Sequence, residues 1–394
     1  MTIGVKYIAH GSTSGYALSA LAYVRALHNA GIPVWWQPWH LGGDPMPYRM
    51  EDWRAMEGDA ILADLPALVR AAGSRIAYDT IVVHAVPEHW PRFAEAGKRF
   101  VGYTVWEADP LPEHWPRLLE LADVILVPSR FNAEIFVRSG VRRPVRVVPH
   151  IRRHAWSETA RDDAVKLRMR LRIPEDHFVF YAIGAWDPRK AFPELIDAFA
   201  REFRAEERVS LLVKTSAALS NAAVDTQFGT GTEERTRRAV AEAARATGRP
   251  AAQVTCIGAD NVDGRSMDAI HAAGDAYVSL AHGEGWGLGA FEAATLGKPV
   301  IMTGWGGQLD YLGAEYPGLV RYGMTPVSGW FPFASYQRAQ HWAQADAQHA
   351  RELMRAAVSR DGRLRDAAIS AREAIVNRFA EPVVVRELIA AIDG

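Results

Sequence analysis

Short apolar runs alternate with helix-like stretches along nearly the whole chain, and that alternation restricts the fold more than any single residue does. Val5–Ala9 leads into a Gly/Ser turn at residues 11–15. From Ala17 to His28 the apolar positions Leu18, Leu21, Val24 and Leu27 then recur at helical spacing, closed by Asn29-Ala30-Gly31. Thr80–His84, Arg99–Thr104, Val124–Pro128 and Arg146–Pro149 repeat the strand pattern, and helices fit between them. A second series starts at Phe178–Gly184 and continues through Ser210–Lys214, Gln253–Gly258, Ala276–Leu280 and Pro299–Thr303. Strand–helix alternation is the pattern of parallel sheets covered by helices. Two series predict two α/β domains, with the charged stretch Arg152–Glu175 (Arg152, Arg153, Arg161, Asp162, Asp163) as their connection. Two such sheets imply a cleft that collects the carboxyl ends of their strands, where open α/β sheets bind ligands.

The 394 residues suffice for two domains, and 49% hydrophobic with 23% charged residues is the ordinary balance of a globular protein. A net charge of -1 does not argue for a nucleic-acid partner, and none is expected. The single cysteine, Cys256, excludes an intrachain disulfide and a cysteine metal cage, which fits a reducing compartment. The N-terminus enters a strand-like run directly, and no apolar run reaches the roughly 18 residues that span a bilayer. The expectation is a cytoplasmic protein. Arg138, Arg142, Arg143, Arg146, Arg152 and Arg153 form a basic stretch that suits peripheral contact with the inner face of the cell membrane, the competing reading being a solvated face. Residues 215–232 read as a loop. The tail from Gln348 to Ile392 reads as helical, with a break at Phe379-Ala380-Glu381-Pro382.

The chemistry concentrates after the strand Ala276–Leu280. There the chain reads Ala281-His282-Gly283-Glu284-Gly285-Trp286-Gly287-Leu288-Gly289-Ala290-Phe291-Glu292. A glycine-rich loop between a strand and a helix frees backbone N–H groups and aims a helix N-terminus at a ligand, which suits a pyrophosphate. A carboxylate in the loop, Glu284, can accept hydrogen bonds from sugar hydroxyls. Glu292, about one turn inside the helix, can grip a ribose diol with both oxygens.

These two glutamates, eight residues apart and accompanied by Gly285, Gly287 and Gly297-Lys298-Pro299, resemble the E-x7-E signature of family 4 retaining glycosyltransferases. The resemblance implies the GT-B fold: two Rossmann-like domains facing a central cleft, with a C-terminal helix crossing back to the first. Residues 1–165, joined by 375–394, would form the acceptor-binding domain, and residues 166–374 the nucleotide-sugar donor-binding domain. In Gly184-Ala185-Trp186-Asp187-Pro188-Arg189-Lys190, Lys190 matches the family lysine that neutralises the donor diphosphate, with Arg189 beside it. The family often carries an arginine directly after the strand glycine. This chain has Ala185, so Arg189 or Lys214 would substitute. Gly15, in the first strand-to-helix turn, and Gly287 with Leu288 are expected to border the donor. The turn Thr303–Asp310 is expected near the donor sugar. The nucleotide base would be held by main chain at Gly258-Ala259-Asp260, so the base is not legible and UDP and GDP sugars are both candidates.

Many members also place a histidine after the strand equivalent to Arg99–Thr104, and this chain has Tyr103-Thr104-Val105-Trp106-Glu107-Ala108-Asp109-Pro110 instead. Glu107 or Asp109 then becomes the candidate to orient the acceptor hydroxyl or act as base, with Trp106 and His84 also on the acceptor side. For His84 the competing reading is a core histidine. Trp35, Trp36, Trp39, Trp90, Trp106 and Trp115 suit either sugar stacking or the domain core. No strand-end Asp-x-Asp motif is present to anchor a metal, so positive side chains and helix N-termini would stabilise the leaving phosphate.

The expected enzyme is a metal-independent, retaining hexosyltransferase of polysaccharide biosynthesis. It would need no cofactor beyond a nucleoside diphosphate sugar and would act on a glycan or lipid-linked glycan hydroxyl. Glu284, Lys190 and Glu107 are its candidate catalytic residues. The alternatives are a nucleotide-sugar epimerase of the same fold and a catalytically silent sugar-binding subunit.

Overall fold

The computed structural model describes residues 3–10, 14–39, 75–153, 156–217, 231–260, 262–328 and 335–394. The chain divides into two compact units, Met1–Ala155 with Ile375–Gly394, and Trp156–Ala374.

The first unit contains β1 (Val5–His10), α1 (Gly15–Asn29), β2 (Val34–Trp39), β3 (Thr80–His84), β4 (Arg99–Tyr103), α2 (Trp115–Leu119), β5 (Val124–Val127), α3 (Arg130–Arg138) and β6 (Val145–Val147). Its strands form one parallel sheet in the order β2-β1-β3-β4-β5-β6. Every residue of β3 and β5 is buried, as expected for central parallel strands covered on both faces. The strand β2 is absent from the sequence expectation because Val34-Trp35-Trp36-Gln37-Pro38-Trp39 contains a proline. Among the described residues it lies at the sheet edge, paired only with β1, where a missing backbone N–H is tolerated.

The tryptophans of this unit are mostly core. Trp36, Trp39, Trp90, Trp106 and Trp115 are buried, and a Cβ on Gly102 of β4 would overlap the Trp90 indole. Trp35 is less buried and carries the Lys6 ammonium 4.8 Å from its ring centre.

The second unit begins with α4 (Ala160–Arg170), so much of the stretch expected to be a connection is a helix of this domain. Its Asp163 carboxylate accepts two hydrogen bonds from the Arg265 guanidinium, at 2.7 and 3.1 Å. Next come β7 (Phe178–Ile183), α5 (Phe192–Glu202), β8 (Val209–Thr215), α6 (Thr232–Thr247), β9 (Gln253–Gly258) and α7 (Gly264–Ala273), with α4 packed on α7. β10 (Ala276–Ser279), α8 (Leu288–Thr295), β11 (Val300–Thr303), the short α9 (Leu309–Leu312) and β12 (Leu319–Val320) complete the sheet. Its order is β12-β11-β10-β7-β8-β9, and all its pairings are parallel. An antiparallel hairpin, β13 (Tyr322–Pro326) and β14 (His341–Ala345), follows, unanticipated from the sequence.

The tail folds as α10 (Ala347–Val358), α11 (Gly362–Arg378) and α12 (Glu381–Asp393). Proline in the first turn of α12 needs no N–H partner, which is why the helical pattern restarts there. Val384, Val385, Leu388 and Ile392 of α12 enter the core of the first unit beside Leu21, Val24 and Leu27 of α1. Glu381 accepts a hydrogen bond from Asn29 at 2.8 Å and pairs with Arg25 at 3.5 Å, so the C-terminal helix belongs to the N-terminal unit.

Candidate functional site

The site in the second unit grows from three loops at the ends of parallel strands. β7 ends at Ile183, and Gly184 leads to a 3-10 turn, Pro188–Lys190. The Asp187 side chain caps that turn by accepting from the Lys190 amide at 3.2 Å. A Cβ on Gly184 would stand 3.3 Å from both Cδ and Cε of Lys190, so the glycine leaves the lysine stem room to lie across the strand end. Lys190 Nζ donates to Glu284 Oε1 at 2.5 Å. Arg189 Nη1 donates to Gly283 O at 2.6 Å and to Glu284 Oε2 at 3.3 Å. The backbone closes the same contact, since His282 N donates to Arg189 O at 2.7 Å.

Glu284 is 9% exposed. Burial pushes its carboxyl up, and the charges and hydrogen bonds of Lys190 and Arg189 overcome that, holding it below its ordinary value. It stays ionised at neutral pH. Its own carbonyl accepts from Gly307 N at 2.7 Å, and a Cβ on Gly306 (φ +137°) would stand 2.7 Å from the same oxygen. Gln308, fully buried, donates to Thr303 O at 2.6 Å and Trp305 O at 2.9 Å, which fixes this second glycine turn under the first.

Helix α8 opens at Gly287, whose φ of +83° is in the left-handed region that favours glycine, and among the described residues no side chain caps it. Its first amides are therefore available to an anion. Tyr311 donates to Gly287 O at 3.2 Å, and Tyr277 donates to Ile183 O at 3.2 Å. Leu288 is the first helical residue, and Glu292 follows about one turn later with its side chain 19% exposed. Glu292 Oε2 lies 2.9 Å from His271 Nε2. The structure thus gathers Arg189, Lys190, Glu284, Gly287 and Leu288 around one turn, and sets Glu292 on the helix that leaves it. Lys214 instead donates to Ala259 O at 3.1 Å, so its ammonium is tied to the loop expected to hold the base.

The remaining candidates belong to the first unit. Gly15 is exposed at the start of α1, and residues 11–13 of the same turn lie outside the described residues. His84 is buried at 1% exposure, its Nδ1 2.9 Å from the Tyr7 hydroxyl and its Nε2 3.4 Å from Ser19 Oγ, with the Tyr103 ring stacked at 4.0 Å. Burial, assisted by His150, drives His84 well below its ordinary pKa, so its surroundings are those of a neutral core histidine. Trp106 is buried, its indole N–H on Pro110 O at 3.2 Å and its backbone bonded to Asn132 in both directions. Glu107 is half-buried near Tyr16, whose phenol is pushed up by burial and then by the Glu107 charge. Asp109 pairs with Arg138 at 3.0 Å, and Glu120 pairs with Arg142 at 3.0 Å and Arg143 at 3.4 Å, which neutralises part of the basic stretch.

Two residues of the site have no signal in the sequence. His271 meets Glu292, and Tyr181 meets His271, only through tertiary structure, since the histidine lies 21 positions from the glutamate and 90 from the tyrosine. Among the described residues, no group of three or more His, Cys, Asp or Glu side chains could hold a metal ion, and no helix is long and apolar enough to cross a membrane.

Residues 164–322 match the family described as "Glycosyl transferases group 1", a span that includes every second-unit site residue named above. No curated protein sequence matches the chain. Among solved structures, HepE from Anabaena in complex with UDP and glucose is 15% identical, with 99% of each chain covered and a TM-score of 0.63. Sucrose-phosphate synthase from Thermosynechococcus elongatus is 18% identical over 98% of this chain and 99% of its own, with a TM-score of 0.62. The trehalose-6-phosphate synthase OtsA is 10% identical over 99% of each, with a TM-score of 0.64. At these identities the likeness establishes the fold, the GT-B architecture of two parallel-sheet Rossmann-like units. The family match supports a glycosyltransferase.

Proposed function

We propose that this GT-B chain is a retaining glycosyltransferase of the family 4 kind. It moves a sugar from a nucleoside diphosphate to a hydroxyl of a glycan or lipid-linked glycan, without a metal ion. The observation that carries the reading is the convergence of Lys190 and Arg189 on Glu284 beside the uncapped N-terminus of α8. Cations and free amides at one strand end make a diphosphate site, and the buried carboxylate between them supplies hydroxyl recognition.

In this mechanism Glu292 holds the ribose, the α8 amides and Lys190 hold the diphosphate, and Glu284 holds the sugar. The bond from the anomeric carbon to the phosphate oxygen breaks while the acceptor oxygen bonds to the same face. The acceptor proton passes to the departing phosphate oxygen. Lys190 donates to the charge that develops on that phosphate. Glu107, the half-buried carboxylate of the first unit, orients the acceptor hydroxyl. UDP is the first nucleotide to test, because HepE is described in complexes with UDP and with UDP-glucose.

Isotope-labelled UDP- and GDP-sugars incubated with the enzyme and a panel of glycan and lipid-linked acceptors test the reading. Labelled product with the donor's anomeric configuration supports it. Acceptor-free isomerisation would instead identify an epimerase. Binding with neither outcome would identify a silent sugar-binding subunit.

A further inference from the structure

We propose that His271, held by Tyr181, is a positioning residue that fixes the Glu292 carboxylate for recognition of the nucleotide ribose. The proposal rests on the reading of Glu292 as the ribose ligand. His271 sits near the end of α7, fully buried, with Nε2 2.9 Å from Glu292 Oε2 and Nδ1 3.0 Å from the Tyr181 hydroxyl. Tyr181, in the centre of β7, is also fully buried. A Cβ on Gly274 would overlap its ring, so the glycine that ends α7 makes the space this tyrosine fills. Trp156 meets the imidazole edge-on at 5.5 Å, and the Tyr181 ring meets it at 5.4 Å and 85°.

With the imidazole neutral, the hydrogen bonds have one consistent direction. Burial raises the Tyr181 phenol well above its ordinary pKa, so its proton stays on and is donated to Nδ1. The imidazole then carries its proton on Nε2 and donates it to the carboxylate. The opposite tautomer would set a lone pair against an ionised carboxylate. A ligating carboxylate steered by a buried donor loses less freedom on binding than one swinging in solvent, the same logic by which outer partners orient metal ligands.

Nucleotide titration of the full chain tests this with UDP against 2′-deoxy-UDP, and with the GDP and ADP pairs in parallel, the tightest-binding pair being read. Loss of one charge-assisted hydrogen bond predicts that the wild type prefers the ribonucleotide about tenfold. Glu292→Ala removes the preference. His271→Leu reduces it to within about twofold, and His271→Gln, whose amide can still donate, restores most of it. Tyr181→Phe keeps the ring and removes only the hydroxyl. It lowers the preference in the same direction, and serves as the probe if His271→Leu does not fold. A ribose preference lost in Glu292→Ala but intact in both His271→Leu and Tyr181→Phe overturns the positioning role alone. A preference unchanged in Glu292→Ala overturns the ribose reading and this inference with it.

Discussion

Lys190 Nζ stands 2.5 Å from Glu284 Oε1 while Arg189 Nη1 stands 3.3 Å from Glu284 Oε2, so one buried carboxylate partners two adjacent cations from another strand's loop. The pair does two things at once. It keeps Glu284 ionised inside the protein, and it stores two positive charges where a diphosphate is proposed to bind.

Replacing Lys190 by methionine separates these roles. The phosphate loses a charged donor, typically about 1.5–3 kcal/mol, so affinity for a nucleoside diphosphate should fall about ten- to hundredfold. The fold should survive, because Arg189 still partners the carboxylate. Titration calorimetry of the variant with UDP and GDP checks this, and unchanged affinity for both would contradict the assignment of Lys190.

The same pairing predicts an acid-dependent stability. Glu284 titrates below its ordinary value of 4.5, against the upward push of burial, because Lys190 and Arg189 favour the ionised form. A lowered pKa stabilises the folded state above the unfolded pKa and loses that contribution as pH falls through the folded one. The wild type should therefore exceed Glu284→Gln in thermal stability at neutral pH, and the gap should close as pH is taken below 4.5. Melting curves between neutral and acid pH measure it. A gap independent of pH would show that the ionised carboxylate is not the stabilising form.

Two glycine substitutions should part stability from binding. A Cβ on Gly289 would lie 2.9 Å from the Tyr277 hydroxyl and 3.3 Å from Ile183 Cβ, so alanine there must push α8 off the strand end. A Cβ on Gly102 would strain the Trp90 packing in the first unit instead. Each should cost about 1–3 kcal/mol, as overpacking does. Only Gly289→Ala should also weaken nucleotide binding. Equal nucleotide affinity in the two variants would mean that the seating of α8 does not matter to the site.

The legible part of this protein was what local pattern and local spacing encode. Central strands such as β3 and β5 are unbroken apolar runs, and the turn from Gly283 to Glu292 carries its glycines and carboxylates within ten residues. Lys190 was visible only through family resemblance. Its bond to Glu284 spans 94 positions, and no periodicity reports such a distance. The edge strand β2 was missed because Pro38 argues against a strand unless its edge position is known, and α4 was missed because its charged face masks a narrow buried stripe at Ala164 and Leu167. His271 was hidden for a further reason. A lone histidine at a helix end looks the same whether it fills core, faces solvent or steers a carboxylate. The two units were legible as two α/β series, whereas the helix within the charged stretch between them was not, since a helix and a linker can be equally rich in charge.

Titration of UDP and UDP-glucose into the wild type, Glu284→Gln and Glu292→Ala tests the central division of labour most directly. Glu292→Ala should weaken both ligands about tenfold, because both carry the ribose. Glu284→Gln should leave UDP within about threefold and remove most of the extra affinity that the glucose contributes. Wild-type affinity for UDP-glucose in both variants would contradict the account, because neither carboxylate would then be holding the donor.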